Sequence, residues 1–194
     1  MEVRAAAAQQ TRERIVDAVV ELLLARWYDE VTLREVAINS GVALQTVVNH
    51  FGSKDQLVAE GVDRLHARVE AQRGAATPDD LERALSILVE HYELTGDAAI
   101  RALAMEERVP ALRPVLDRGR RFHREWVERI FASALARSPA GPDRDRALAA
   151  HVAALDVYVW KLLRRDLGLS PAVTAKVMHD LAVGLDRPEQ RRTA

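Results

Sequence analysis

Apolar positions recur three and four residues apart along almost the whole chain, and strand-like alternation is rare. The first run, Ile15, Val19, Leu22 and Leu23, predicts a helix from about Thr11 to Arg26, with Arg12, Glu13, Asp17 and Glu21 turned outward. The alanine-rich segment before it, through Gln10, carries no cap and reads as a mobile arm. Thr32-Leu33-Arg34-Glu35 is a capping box: the Thr32 hydroxyl can accept from the amide three residues on, and Glu35 can reach back. The helix it opens is short, because Asn39-Ser40-Gly41 is a turn signal whose glycine can take positive φ. Another short helix follows, from Ala43 to about His50, and Gly52 closes it. A second capping box, Ser53-Lys54-Asp55-Gln56, then opens a longer helix carrying Leu57, Val58, Val62, Leu65 and Val69.

Gly74 to Pro78 interrupts the pattern. Thr77 as N-cap, Pro78 at the first helical position, and Asp79 and Asp80 in the first turn start a helix expected to end near Gly96. A shorter helix to about Arg108 is expected next. Pro110 and Pro114 mark a junction before a long helix reaching about Arg137, and Ser138 to Pro142 is a loop. The longest helix is predicted from Pro142 to Leu167, and Ser170-Pro171 caps the last one, ending around Leu185. The tail after Arg187 is polar and expected to fray. The whole reads as an all-α protein with an N-terminal domain over residues 9–68 and a larger helical domain over 77–187.

Composition narrows the function classes. Apolar residues make up 48% and aromatic residues 5%, a mix that suits helices. There is no cysteine, which excludes disulfides, thiolate metal sites and cysteine nucleophiles, and fits a reducing, cytoplasmic setting. The apolar runs are too short and too often broken by charge to cross a bilayer, and the N-terminus lacks a signal-peptide core, so no membrane partner is expected. The six histidines, at 50, 66, 91, 123, 151 and 179, never stand three or four apart, so no helical zinc pair exists. Nor is there a phosphate-binding glycine loop or a nucleophile elbow. No enzyme activity, catalytic residue, metal or cofactor is expected. Net charge is −1, divided as −3 over residues 1–70 and +2 over the remainder, so bulk charge argues mildly against a nucleic-acid partner.

The segment Thr32 to Phe51 is the informative one. Two helices of about two turns, joined by a tight glycine turn, cannot bury enough surface alone and need the flanking helices as supports. In the second, Leu44, Val47, Val48 and Phe51 fall at i, i+3, i+4 and i+7 and are expected to form the buried stripe. The opposite face is then Ala43, Gln45, Thr46, Asn49 and His50, polar, short and free of acids, able to approach phosphates and base edges. Lys54 stands in the first turn of the following helix, where backbone amides add attraction for a phosphate.

The runs Val31-Thr32-Leu33-Arg34-Glu35-Val36-Ala37, Ser40-Gly41-Val42 and Thr46-Val47-Val48-Asn49-His50-Phe51-Gly52-Ser53-Lys54 resemble the TetR-family DNA-binding signature. The resemblance covers about residues 9 to 68. It implies a three-helix helix-turn-helix DNA-binding domain joined to a helical ligand-binding and dimerisation domain. It further implies that Ala43 to His50 is the recognition helix and that a dimer reads a two-fold-related operator in double-stranded DNA. Carried over by position, Gln45, Thr46 and Asn49 face bases, while Thr32, His50 and Lys54 hold phosphates; Arg34 and Ala43 complete the DNA-facing set. The chain departs from the family pattern in having Val48 where an aromatic with a phosphate-reaching hydroxyl is usual, and Ala43 where serine is frequent. The phosphate grip is then expected to lean on Lys54, Arg34, Arg4 and Arg12.

In the C-terminal half, Leu148, Val152, Leu155, Val159 and Leu162 recur at alternating four and three spacing, a seam suited to another helix. With Val173, Val177 and Leu181 of the last helix they are the expected homodimer interface. His91, Tyr92, Met105, Phe122, His123, Trp126, Asp156 and Trp160 are candidates to line a pocket for a small-molecule ligand of unknown identity; His91 and Asp156 are the sharper choices, because burying a polar group requires a partner. The expected function is a ligand-responsive repressor. An activator, or a helix-turn-helix that packs against a protein instead of DNA, would carry the same sequence features.

Overall fold

The computed structural model describes residues 2–185, the first three as helical backbone alone, and all regular structure among them is helical. The order is α1 (Glu2–Ala25), α2 (Leu33–Ser40), α3 (Leu44–Phe51), α4 (Lys54–Gly74), α5 (Leu81–Met105), α6 (Arg113–Ile130), α7 (Ala132–Leu135), α8 (Pro142–Ala154), α9 (Val157–Lys161) and α10 (Pro171–Gly184). Short 3-10 turns at Tyr28–Glu30 and Pro110–Leu112 and a π turn at Leu162–Asp166 join some of them. The chain falls into two compact units: one holds the residues up to Ala71 together with Asp97–Asp117, the other Gln72–Gly96 and the residues from Arg118 onward. The second half of α5 and the start of α6 therefore belong to the same unit as α1 to α3. The C-terminal end of the 77–187 assignment, and the tail after Arg187, lie outside the described residues.

The first unit is organised around Ile15, Val16 and Val19 of α1, Val36 and Ala37 of α2, Val47 and Phe51 of α3, and Leu57 and Val58 of α4, all buried in one cluster. Met105, Leu112 and Leu116 make a smaller cluster in the same unit, with Tyr28 packed against it. Arg101 donates to the carbonyls of Leu23 (3.4 Å) and Leu24 (2.7 Å), satisfying acceptors at the end of α1 that have no helical partner.

Several boundaries differ from the sequence-based expectation, each for a local reason. The alanine-rich arm is helical, continuous with α1: Ala5 to Ala8 are strong helix formers, Gln9 donates to Glu13 at 3.0 Å, and the Thr11 hydroxyl bonds back to Ala7 O. Helix α5 starts at Leu81 and not at Thr77, because Asp80 supplies the cap, accepting from Arg83 N at 2.9 Å. It runs unbroken through Gly96. In the second unit a Cβ at Gly96 would penetrate the buried Trp160 ring, so this glycine marks a close approach and not a helix end. The helix after Pro114 stops at Ile130, where Phe131 leaves helical geometry (φ −100°, ψ 21°) and the short α7 follows. The predicted Pro142–Leu167 helix is broken at Leu155 (φ −106°, ψ 8°), after which Asp156 caps α9 by accepting from Tyr158 N at 2.9 Å.

The Gly96–Trp160 approach yields a direct test. Gly96→Ala improves helix propensity yet overfills the space beside Trp160, and overpacking of this kind costs about 1–3 kcal/mol. Chemical denaturation should show a loss of stability, whereas an exposed glycine-to-alanine change within a helix would show a gain.

Candidate nucleic-acid interface and ligand site

The capping box at α2 forms as its sequence predicts. Thr32 Oγ1 accepts from Glu35 N at 3.2 Å, and Glu35 Oε2 accepts from Thr32 N at 3.1 Å. The Arg26 guanidinium bonds Glu35 and is the main reason that its carboxyl lies below the usual glutamate range. Gly41 adopts φ +68° and returns its amide to the end of α2. Helix α3 then begins without a side-chain cap, since Ala43 has no oxygen to offer, and Gly52 ends it at φ +71°. Ser53 Oγ accepts from Gln56 N at 3.2 Å at the start of α4.

This local frame fixes which residues face outward. Val47 and Phe51 are buried and Val48 is half-buried, but Leu44, expected in the buried stripe, is 45% exposed. It sits in the first turn of an eight-residue helix, beyond the reach of the supporting core, and joins Ala43, Gln45 and Asn49 on the outer face. Gln45 Nε2 donates to Asn49 Oδ1 at 2.9 Å, so the two amides form one joined polar edge. Thr46 and His50 are half-buried beside it, and Arg34 is exposed on α2.

Two cations read from the sequence as phosphate contacts are occupied within the unit. Lys54 Nζ donates to Tyr28 O and lies 4.2 Å from the centre of the Tyr28 ring, and burial lowers the ammonium below its ordinary value. The Tyr28 hydroxyl in turn donates to Asp55, and burial with that bond raises the phenol. Arg12 pairs with Glu60, donates to His50 O at 3.0 Å and stacks 4.4 Å from the centre of Phe51. Lys54 and Arg12 thus brace α3 and α4; Arg34 remains on the outside. The side chain of Arg4 lies outside the described residues.

The pocket candidates do not form one group. Met105 belongs to the first unit's small cluster. Asp156, proposed as a buried polar ligand contact, is the cap of α9. Trp160 is fully buried, donates from Nε1 to Glu93 at 2.8 Å and packs against Tyr92 at 5.9 Å. His91 stacks on Tyr92 at 5.1 Å, and the Tyr92 hydroxyl donates to Leu155 O at 3.0 Å.

Phe122, His123 and Trp126 surround a residue the sequence did not single out, Arg73, in the last turn of α4. Arg73 is 1% exposed. Its guanidinium carbon lies 4.2 Å from the Trp126 ring centre and 5.1 Å from that of Phe122, and Nη2 donates to His123 Nδ1 at 3.3 Å. That bond places the His123 proton on Nε2, facing Val152 O at 3.3 Å. Burial brings Arg73 down to about 10, still a cation at neutral pH. No local sequence signal finds it, because its neighbours come from α6, some fifty residues away.

Of the expected interface residues, Leu148 and Leu155 are buried in the chain's own core, because the break at Leu155 ends the predicted straight seam. Val152, Val159 and Val177 are half-buried. Leu162, Val173 and Leu181 are close to half exposed, with Tyr158 and Leu185 alongside them among the exposed large apolar residues.

Residues 15–60 match the family described as bacterial regulatory proteins, tetR family. The match spans α2, α3 and the flanking portions of α1 and α4, the frame just described. The chain carries a TetR-family helix-turn-helix domain. A further match is to the HTH-type transcriptional regulator AlkX of Mycobacterium tuberculosis, 38% identical over 72 residues. It covers 32% of this chain and 34% of AlkX, so it spans about a third of that relative's length. Solved structures extend the likeness in fold beyond the TetR domain. A transcriptional regulator from Rhodococcus sp. Rha1 covers 90% of this chain and 95% of its own at a TM-score of 0.69 and 17% identity. The regulator FadR from Bacillus subtilis, solved with stearoyl-CoA, covers 89% of this chain and 98% of its own at a TM-score of 0.59 and 17% identity. Among the described residues no helix is long and apolar enough to cross a membrane.

Burial, with the Arg73 cation beside it, pushes His123 down to about 4. In the unfolded chain the ring titrates near its ordinary value of about 6.5. The unfolded state therefore takes up the proton first as pH falls, and stability is lost progressively from about 6.5 toward 4. Denaturation at stepped pH should show that decline, and His123→Gln should flatten it.

Proposed function

We propose that the chain is a DNA-binding transcription regulator that acts as a homodimeric repressor and releases its operator when a small molecule occupies the second unit. The observation that carries the reading is the outer edge of α3: Leu44, Gln45 and Asn49 stand on a helix with no acidic residue, braced from behind by Val47 and Phe51. A glutamine or asparagine amide can bond an adenine edge in two places, and an exposed leucine suits a thymine methyl. The uncapped first-turn amides of α3 are available to a phosphate, a role that a serine at position 43 would partly occupy.

Dimerisation is supported by the apolar surface that Tyr158, Leu162, Val173, Leu181 and Leu185 leave open on a single chain. Two copies related by a two-fold axis would place their α3 helices in successive major grooves of a palindromic site. Ligand response is supported by the polar groups buried among aromatic side chains in the second unit, and by the likeness in fold to a regulator solved with stearoyl-CoA. A ligand acts by favouring the state whose helix spacing no longer fits the DNA.

Binding of the full chain to a DNA fragment from upstream of its own gene, measured across a salt series, tests the reading. Affinity should fall with salt as phosphate-bound counterions are released. Gln45→Ala or Asn49→Ala should lose about 1–3 kcal/mol of discrimination between operator and unrelated DNA. Arg34→Ala should weaken all sequences alike and reduce the salt slope by about one. Lys54→Met should leave the slope nearly unchanged while lowering stability, since its ammonium already serves Tyr28. Absence of DNA binding at low salt would overturn the reading.

A further inference from the structure

The second unit contains two charge clusters of opposite completeness, one half-buried around Glu93 and one buried around Arg73. In one, Glu93 accepts from Arg164 through both carboxylate oxygens, at 2.7 and 2.8 Å, and from Trp160 Nε1. The carboxyl is held below the usual glutamate range chiefly by the Arg164 bond. Glu93 and Arg164 are each other's counterion.

In the other, Arg73 has none among the described residues. Its guanidinium makes a single hydrogen bond, to a histidine, and its buried Nε has no partner among the described residues. Arg129 adds a second cation, donating to Ala76 O at 2.8 Å and Arg73 O at 3.3 Å, and its charge acts against that of Arg73. Asp156, an acid that acts on the neighbouring Tyr92, is committed to capping α9. A buried guanidinium with no carboxylate is costly, and aromatic faces compensate only part of the lost hydration. Such a group is expected where an anion from outside completes it.

We propose that Arg73 is the recognition point for a carboxylate-bearing ligand, an apolar organic acid whose carboxylate bonds the guanidinium through Nε and whose body lies along Phe122, Trp126 and Tyr92. The planar fork of arginine matches a carboxylate in two places, and the pairing is strengthened where water is excluded. Neutral His123 takes one N–H of Nη2 and carries no negative charge that competes with the anion. The inference rests on the ligand-response part of the proposed function and names the chemistry of the effector.

Calorimetric titration of the full chain with sodium octanoate and sodium benzoate, set against octanamide and benzamide of the same shape, reads the carboxylate alone. An acid should bind at least about tenfold tighter than its amide, the size of one charge-assisted hydrogen bond. Arg73→Gln should erase that difference, and Arg73→Lys, which keeps the charge without the fork, should reduce it. Should either variant not fold, the acid-specific rise in the wild-type melting temperature gives the same comparison without substitution. Equal affinity for acid and amide, no saturable binding of either acid up to about 10 mM, or an acid preference that survives Arg73→Gln would overturn the assignment. Wild-type DNA binding is measured without acid, so failure of the regulator reading and failure of this assignment are seen separately.

Discussion

Helices α2 and α3 are eight residues each, too short to persist in water, so everything they do depends on the stripe they bury. Val36 and Ala37 on one, Val47 and Phe51 on the other, are held between Ile15, Val16 and Val19 of α1 and Leu57 and Val58 of α4. That burial sets the rotation of α3 about its own axis, and rotation decides which side chains face out. Gly41 in the left-handed region and the Thr32–Glu35 cap set the ends to match. Arg12 and Lys54 add braces, tying α1 to the end of α3 and the start of α4 to the turn after α1. Arg12 and Lys54 thus serve first to keep the face rigid.

The second unit works by a different balance. Its aromatic side chains do not simply fill space: Trp160 and Tyr92 direct their polar atoms to Glu93 and Leu155 O, and Trp126 directs its indole N–H to Arg73 O. The half-buried Arg164 is neutralised by the Glu93 carboxylate; the buried Arg73 is left among rings and a neutral histidine. The contrast within one unit gives Arg73 its meaning, since the same chain shows what a completed pair looks like.

Features written in adjacent residues were legible in the sequence. The Thr32 box, the Gly41 turn, the Ser170 cap and the apolar spacing of α1 all depend on contacts within a few positions, and each stands where the pattern put it. Features set by distant partners were not. Gly96 reads as a helix end until Trp160 lies against it, and Asp156 reads as a buried polar group until the break at Leu155 makes it a cap. Leu44 fits the stripe by spacing but lies past the end of the supporting core. Lys54 reads as a free cation because nothing local reveals that Tyr28 sits beneath it. Arg73 is invisible for the same reason: its surroundings are assembled from α6.

We propose that the outer edge of α3, held in place by a core it does not touch, is the surface that meets DNA. The side-chain amide resonances of Gln45 and Asn49 report on that edge directly in a titration of the isotope-labelled chain with a duplex from upstream of its own gene. Both amides should shift on binding and become protected from solvent exchange, while the Gln72 side-chain amide near the end of α4 stays unmoved. Tight binding that leaves Gln45 and Asn49 unshifted would contradict it.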